Sequence, residues 1–304
     1  MKELIAGAFF SVITALTAAV VACAVPAHAQ RSEPSIAFTF TAFDYPEALA
    51  TQALGINKAG VIVGYYVDTS LVSHGFGRLP NGTFEKLDYP GSVETLLFGV
   101  NNSNQVVGFY SDTDTLDQGF LFTSPDHFTP IDYPGSDMTT AYGINNSGQI
   151  VGAWGEPPSQ GGFSLLNGNY TTLLYPNALL TYPRAINSAG GIAGSWVSVC
   201  NPDCQYQGFL LTVVNGVYSD VEYPGAVMTY INGMNDLNQV VGSYDDAQGG
   251  SHGWAGAPAK HRFITVDYPG STSCVVGGIT NKGQLAGWYV DANNAVHGFL
   301  AVPK

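Results

Sequence analysis

The sequence predicts an all-β fold, a six-bladed β-propeller, on three observations. A unit of about 44 residues runs six times through the chain, the signature of a repeat architecture. Each unit holds four short strand candidates separated by turn signals, the arrangement of an antiparallel blade. Gly, Tyr, Val, Thr and Asn are plentiful while helix formers are sparse, which is a β composition.

The repeat is anchored by two landmarks. The first is the Tyr of a Tyr-Pro pair, at Tyr45, Tyr89, Tyr133, Tyr175, Tyr223 and Tyr268. The second is Gly64, Gly108, Gly152, Gly194, Gly242 and Gly287, always 19 residues later. A spacing without insertions marks a packed unit. In the second copy the strand candidates are 84–88, 95–101, 105–110 and 119–122. Counted along a blade these are the last, first, second and third strands, and the turn between the first and second ends in Gly60, Asn104, Gly148, Gly190, Asn238 and Gly283. Gly and Asn enter the left-handed region most cheaply, so this slot closes a tight hairpin. A Thr stands six residues after each Tyr (Thr51, Thr95, Thr139, Thr181, Thr229), and Cys274 takes the slot in the sixth copy.

Three aromatic positions are filled in every copy. They are the Tyr of Tyr-Pro, the residue two after the landmark Gly, which includes Trp154 and Trp196, and the residue after a second Gly, from Phe76 to Phe299. A residue present in every copy serves the copy, so these read as core and inter-blade packing. At the second position, Trp154 and Trp196 also offer a stacking surface for sugars. At the chain ends, 38–45 supplies only a blade's last strand and 298–302 only its third. Pairing of the two would close the ring and remove an exposed edge.

The N-terminus is read apart from the fold. Lys2, an apolar run from Leu4 to Val25 and Ala27-His28-Ala29 make a secretory signal peptide over residues 1–29, with a short linker at 30–37 and the repeats over 38–304. Two other readings stay open: lipidation at Cys23 after Val20-Val21-Ala22, and an uncleaved anchor. All three export the repeats to the periplasm or the cell exterior. With cleavage, no membrane span remains. Ten Lys and Arg against 23 Asp and Glu give a formal net charge of −13, which excludes nucleic acid as a partner.

The Gly-Ile-Asn and Gln-Val-Val-Gly pieces, with His74-Gly75-Phe76, His252-Gly253-Trp254 and His297-Gly298-Phe299, resemble the HAF repeats of a family of extracellular bacterial repeat proteins. The other copies carry Gln118, Gly161 and Gln207 in place of the His. The resemblance covers about residues 38–302 and implies export and a repeat fold. It brings no established reaction and therefore no catalytic residue.

Candidate sites are sought where copies differ. The longest third loop carries Cys200 and Cys204 around a Pro turn, which in an exported protein reads as a local disulfide, with a redox or metal role as the alternative. Cys274 reads as a lone buried thiol. Charge is uneven: the loops between second and third strands of the blades hold Asp68, Asp112, Asp114, Asp117, Glu156, Asp203, Asp245, Asp246 and Asp291, and no Lys or Arg. Lys58, Lys282, Arg78, Lys86, Lys260 and Arg262 are assigned to the opposite face. A face of one sign attracts cations.

The ligand-binding residues expected from this pattern are Asp68, Asp112, Asp114, Asp245, Asp246, Asp291, Trp154 and Trp196. The ligand is Ca²⁺, a cationic partner or a carbohydrate, with ordinary solvated turns as the competing reading. No cofactor is implied beyond a possible Ca²⁺, and no other metal is assigned. His74, His252 and His297 read as structural partners of loop Asp residues. No nucleophile elbow, phosphate loop or zinc motif appears. The function expected is non-catalytic binding through the acidic loops. A propeller-borne hydrolase or lyase and a structural or adhesive surface protein are the alternatives. An enzyme would show non-repeated polar residues converging on the axis, and a binder would vary its outer loops.

Overall fold

The computed structural model describes residues 37–113, 116–155, 160–198, 205–212 and 216–304. Residues 36–304 form one compact unit. The signal peptide, Cys23, most of the linker, Asp114, Glu156, Asp203 and the Cys200–Cys204 pair lie outside the described residues.

The elements follow the repeat. β1 (Phe38–Phe43) stands alone, and the first full unit is β2 (Ala50–Ile56), β3 (Ile62–Val67), β4 (Ser73–Arg78) and β5 (Phe84–Lys86). The second is β6 (Glu94–Val100), β7 (Val106–Ser111), β8 (Gln118–Thr123) and β9 (His127–Ile131). The third is β10 (Thr139–Ile144), β11 (Ile150–Trp154), β12 (Gly161–Leu166) and β13 (Asn169–Leu173). The fourth is β14 (Leu180–Ile186), β15 (Ile192–Val197), β16 (Tyr206–Thr212) and β17 (Val217–Val221). The fifth is β18 (Met228–Met234), β19 (Val240–Asp245), β20 (Ser251–Ala257) and β21 (Arg262–Thr265). The last is β22 (Ser273–Ile279), β23 (Leu285–Val290) and β24 (Val296–Pro303). Among the described residues the only helix is a 3₁₀ turn at Pro258–Lys260.

The arrangement is that of a β-propeller with blades, and it corrects the expectation of six separate ones. Repeats two to five are four discrete four-stranded antiparallel sheets. The first and sixth repeats share one eight-stranded sheet, joined by a single parallel pairing of Ala50 with Val296. The physical reason is the chain closure. β1 lies antiparallel on β24, from Phe38 opposite Pro303 to Phe43 opposite Gly298, as the chain ends suggested. That strand exchange draws β24 against β2.

The constant spacing has a local cause. In five copies the Tyr backbone N–H donates to the Thr hydroxyl six residues on, at 2.9–3.0 Å. Each Tyr ring lies flat on the aromatic two residues after the landmark Gly, with centroids 3.6–4.6 Å apart and planes within 5°. The landmark is Gly because a Cβ there would collide with a carbonyl of the paired inner strand: Gln52 for Gly64, Leu96 for Gly108 and Val275 for Gly287. A β-bulge at the same place in every inner strand brings that carbonyl close. The turn slot is left-handed in all six copies, including Asn104 and Asn238 at φ 58° and 56°. The third aromatics (Phe76, Phe120, Phe163, Phe209, Trp254, Phe299) are fully buried, one in each local core.

Candidate functional site

Strands alternate direction, so the loops between second and third strands lie at one end of the ring and the inner hairpin turns at the other. The acidic loops occupy the first end. Their carboxylates are engaged in a repeated motif. Asp68 Oδ1 accepts from the Ser70 and Val72 N–H groups, Asp246 Oδ1 from Gln248 and Gly250, and Asp291 Oδ1 from Asn293 and Ala295, all at 2.7–3.0 Å. These backbone bonds, led by Val72, Gly250 and Ala295, hold the three carboxyls below the usual carboxylate range.

The second oxygen of Asp68 and of Asp246 faces a His Nε2, at 3.4 Å and 3.3 Å, and Asp291 lies 3.7 Å from His297. Each His Nδ1 meets the Asp before Tyr-Pro: Asp88 at 2.8 Å, Asp267 at 2.7 Å and Asp44 at 2.9 Å. The His rings also lie against Tyr66, Tyr244 and Tyr289. For His252, burial opposes the charged form, but Asp267 and then Asp246 outweigh it and raise its pKa. Lys86 bonds Asp88 at 3.0 Å, so it belongs to this end and not to the opposite face where the sequence had put it.

Trp154 and Trp196 are committed to the blade as well. Trp154 stacks on Tyr133, and its indole N–H donates to the Gly162 carbonyl at 3.3 Å. Trp196 stacks on Tyr175, and both donate to Asp220 Oδ1, at 3.3 Å and 2.7 Å. Asp112 follows β7 at the same rim. Among the described residues no group of three or more His, Cys, Asp or Glu is placed to hold a metal ion. Cys274 is a buried free thiol donating to the Val266 carbonyl, and burial pushes its pKa up to about 12.

The axis of the ring is built differently. The six inner strands enclose a channel, narrowed by Ile56, Val100, Ile144, Ile186, Met234 and Ile279. On the turn side lies a polar mouth of about 90 Å³. There the side-chain amides of Asn57, Asn101 and Asn145 each donate to the backbone carbonyl of the next turn at 3.1 Å, and Asn235 does so to Thr280. Asn187 instead reaches Asn238 Oδ1 at 2.7 Å. A second ring runs outside it, from Lys58 N–H to Asn102 and on to Asn146, Ser188, Asp236 and Asn281.

On the other side of the constriction is a chamber of about 80 Å³. One position of the repeat supplies its wall: Leu54, Phe98, Tyr142, Arg184, Asn232 and Gly277. No two are alike, so the repeat itself does not demand them. Arg184 lays its guanidinium 3.9 Å from the Tyr142 ring centre and 5.6 Å from that of Tyr182. Tyr182 leads to Tyr206 at 6.4 Å, and Tyr206 to Tyr230 of the next repeat at 5.1 Å. Tyr182 donates to Gln160 Oε1 at 3.2 Å, and Tyr230 donates to Met228 Sδ at 3.1 Å with the Asp245 carboxylate close by. Burial, the largest influence, raises the pKa of Asp245 and of both Tyr182 and Tyr230. All of these side chains are partly exposed.

Of the expected site residues, Asp245 alone joins this non-repeated cluster. Tyr142, Tyr182, Arg184, Tyr206 and Tyr230 were not singled out from sequence. Part of the signal was present: nine residues after each Tyr of Tyr-Pro the six copies carry six different side chains, and seven residues after it they carry five. The arrangement offers aromatic faces, phenol hydroxyls, the amides of Gln160 and Asn232, one carboxylate and one guanidinium, which is the chemistry of polar-ligand recognition.

No protein-family model matches the sequence, and no curated protein matches it. Solved structures do resemble its fold. A putative TolB from Agrobacterium tumefaciens superposes with a TM-score of 0.56 at 12% identity, covering 83% of this chain and 90% of that one. A variant of the Aleuria aurantia lectin in complex with Fucα1-6GlcNAc gives 0.51 at 8%, covering 84% and 97%. A mutant of AofleA from Arthrobotrys oligospora gives 0.53 at 11%, covering 86% of each chain. At these identities the likeness concerns the fold.

Proposed function

We propose that this chain is an exported, non-catalytic carbohydrate-binding propeller whose ligand stacks on Tyr182, Tyr206 and Tyr230. In this reading the eight-stranded sheet acts as two blades, so six blades surround the axis. The acidic loops form the rim, and Asp245 is where the rim meets the site. The observation that carries the proposal is the run of three tyrosines across repeats four and five, bounded by Gln160 and Asp245. Flat aromatic faces flanked by fixed hydrogen-bonding groups suit the C–H faces and hydroxyls of a sugar ring. The lectin complexed with Fucα1-6GlcNAc is a fold-level precedent in the same direction.

Export rests on the N-terminal pattern and the HAF-repeat resemblance. Among the described residues no helix is long and apolar enough to cross a membrane. Non-repeated groups do converge on the inner wall, which is the feature an enzyme would show. Among the described residues the cluster holds one carboxylate, Asp245, and no second one to complete an acid–base couple, which favours binding. Titration calorimetry of the purified protein against a panel of soluble oligosaccharides tests this, with reducing-end release measured in the same samples. Binding that is lost in Tyr206→Ala and Tyr230→Ala, without release, is the expected result. Binding indifferent to both substitutions, or turnover, would overturn it.

A further inference from the structure

We infer that Arg184 makes the site selective for a sugar bearing a carboxylate, whose charged group enters the axial chamber while its ring stacks on the tyrosines outside. The inference rests on the carbohydrate reading and deepens it. Arg184 makes no ion pair among the described residues, in a chain of net charge −13. Its guanidinium plane is fixed by Tyr142, which leaves the forked edge of N–H donors for a planar bidentate acceptor. Its neighbour in the ring of wall residues, Asn232, spends its side-chain N–H₂ on the Val276 carbonyl at 3.3 Å and adds no charge.

Size sets the geometry. The chamber of about 80 Å³ has room for a carboxylate beside Arg184. The apolar constriction closes it toward the turn side, so the group enters from the tyrosine side. A sugar ring stacked on Tyr182 and Tyr206 lies outside the chamber and directs its carboxylate inward. Entry from that side passes the acidic loops, which repel small free anions. A carboxylate delivered on a larger stacked body offsets that repulsion, whereas acetate or sulfate cannot.

The test compares tetragalacturonate with its methyl ester, which keeps the shape and removes the charge, and with sulfate and acetate, by calorimetry. The acid is expected to bind roughly ten- to a hundredfold more tightly than the ester, the range of a charge-assisted pair. Arg184→Gln is expected to erase that preference, bringing the affinity for the acid down to that for the ester. Arg184→Lys, which keeps the charge without the fork and guards against misfolding of the Gln variant, is expected to retain part of it. Sulfate and acetate are expected not to compete.

Equal affinity for acid and ester, with both still dependent on Tyr206, would refute the role of Arg184 and leave the carbohydrate site standing. Competition by free sulfate or acetate at similar concentration would also refute it, because the chamber would then be a simple anion site. Failure of every oligosaccharide to bind would remove the carbohydrate reading and this inference with it.

Discussion

Asn101→Ala is the sharpest probe of how the ring is held. Asn101 is 3% exposed, and one side chain does two tasks. Its Oδ1 accepts from the Ser103 and Gln105 N–H groups at 3.0 Å, shaping its own turn. Its Nδ2 donates to the Asn145 carbonyl at 3.1 Å, linking one repeat to the next. The same Nδ2 also donates to Gln105 Oε1 at 2.7 Å, so alanine removes four bonds. Each is worth about 1 kcal/mol net, more where the orphaned group stays buried. The exposed Ser103 N–H and the half-buried Gln105 amide oxygen turn to water, so the total comes to about 2–3 kcal/mol. For a chain of this size that is a fall of roughly 4–6 °C in melting temperature.

The sixth copy supplies the control. Thr280 keeps one turn bond, to the Gln284 N–H at 3.2 Å, and has no amide to donate. Asn101→Thr is therefore expected to cost about half as much, and Thr280→Asn to stabilise the seam with the first repeat by about 1 kcal/mol. Differential scanning calorimetry and urea unfolding read these shifts. An Asn101→Ala protein melting within 1 °C of the parent, or Thr280→Asn destabilising it, would refute the reasoning.

Three further outcomes are expected. Cys274 stands where the other repeats use Thr to receive the Tyr N–H, so Cys274→Thr is expected to raise stability by about 0.5–1 kcal/mol, and the native thiol to resist alkylation at pH 8 until the protein unfolds. His252 has a raised folded pKa, so its contribution is full below about pH 6.5 and is lost as pH rises through the folded value. Asp246 has a lowered one, so its contribution is lost as pH falls below the usual carboxylate range. The melting-temperature gap between the parent and His252→Gln should accordingly be widest near pH 5 and narrow above neutrality, and a gap that widens with pH would contradict the pairing. Ca²⁺ and EDTA are expected to leave the melting temperature unchanged, because the Oδ1 atoms of Asp68, Asp246 and Asp291 already serve backbone N–H groups; a Ca²⁺-dependent rise would return the acidic loops to the list of binding sites.

What the sequence made legible is what the repeat enforces. The Tyr-to-Gly spacing, the Thr hydroxyl and the left-handed turn slot are short-range demands of one blade; the spacing and the slot recur in six copies and the Thr in five. Closure through β1 and β24 was readable because each chain end carries one orphan strand. The fusion of the first and sixth repeats into a single sheet was not, since it depends on how closely two strands distant in sequence approach. At the candidate site, looking for length and charge differences led to Asp68, Asp246 and Asp291, which serve their own turns and the histidines. It passed over Tyr182, Arg184 and Tyr230, which change neither length nor the acidic bias. Lys86 was misplaced because a three-residue strand carries its long side chain to the far end.

The central claim is a division of labour: repeated aromatics hold the fold, and non-repeated inner residues hold the ligand. Measuring oligosaccharide affinity and melting temperature together for Tyr206→Ala and Phe120→Ala tests it most directly. Tyr206→Ala is expected to abolish binding at nearly parental stability. Phe120→Ala, which empties a fully buried site, is expected to lose about 3–5 kcal/mol of stability while the folded fraction binds normally. Binding that survives Tyr206→Ala but fails in folded Phe120→Ala would contradict the account.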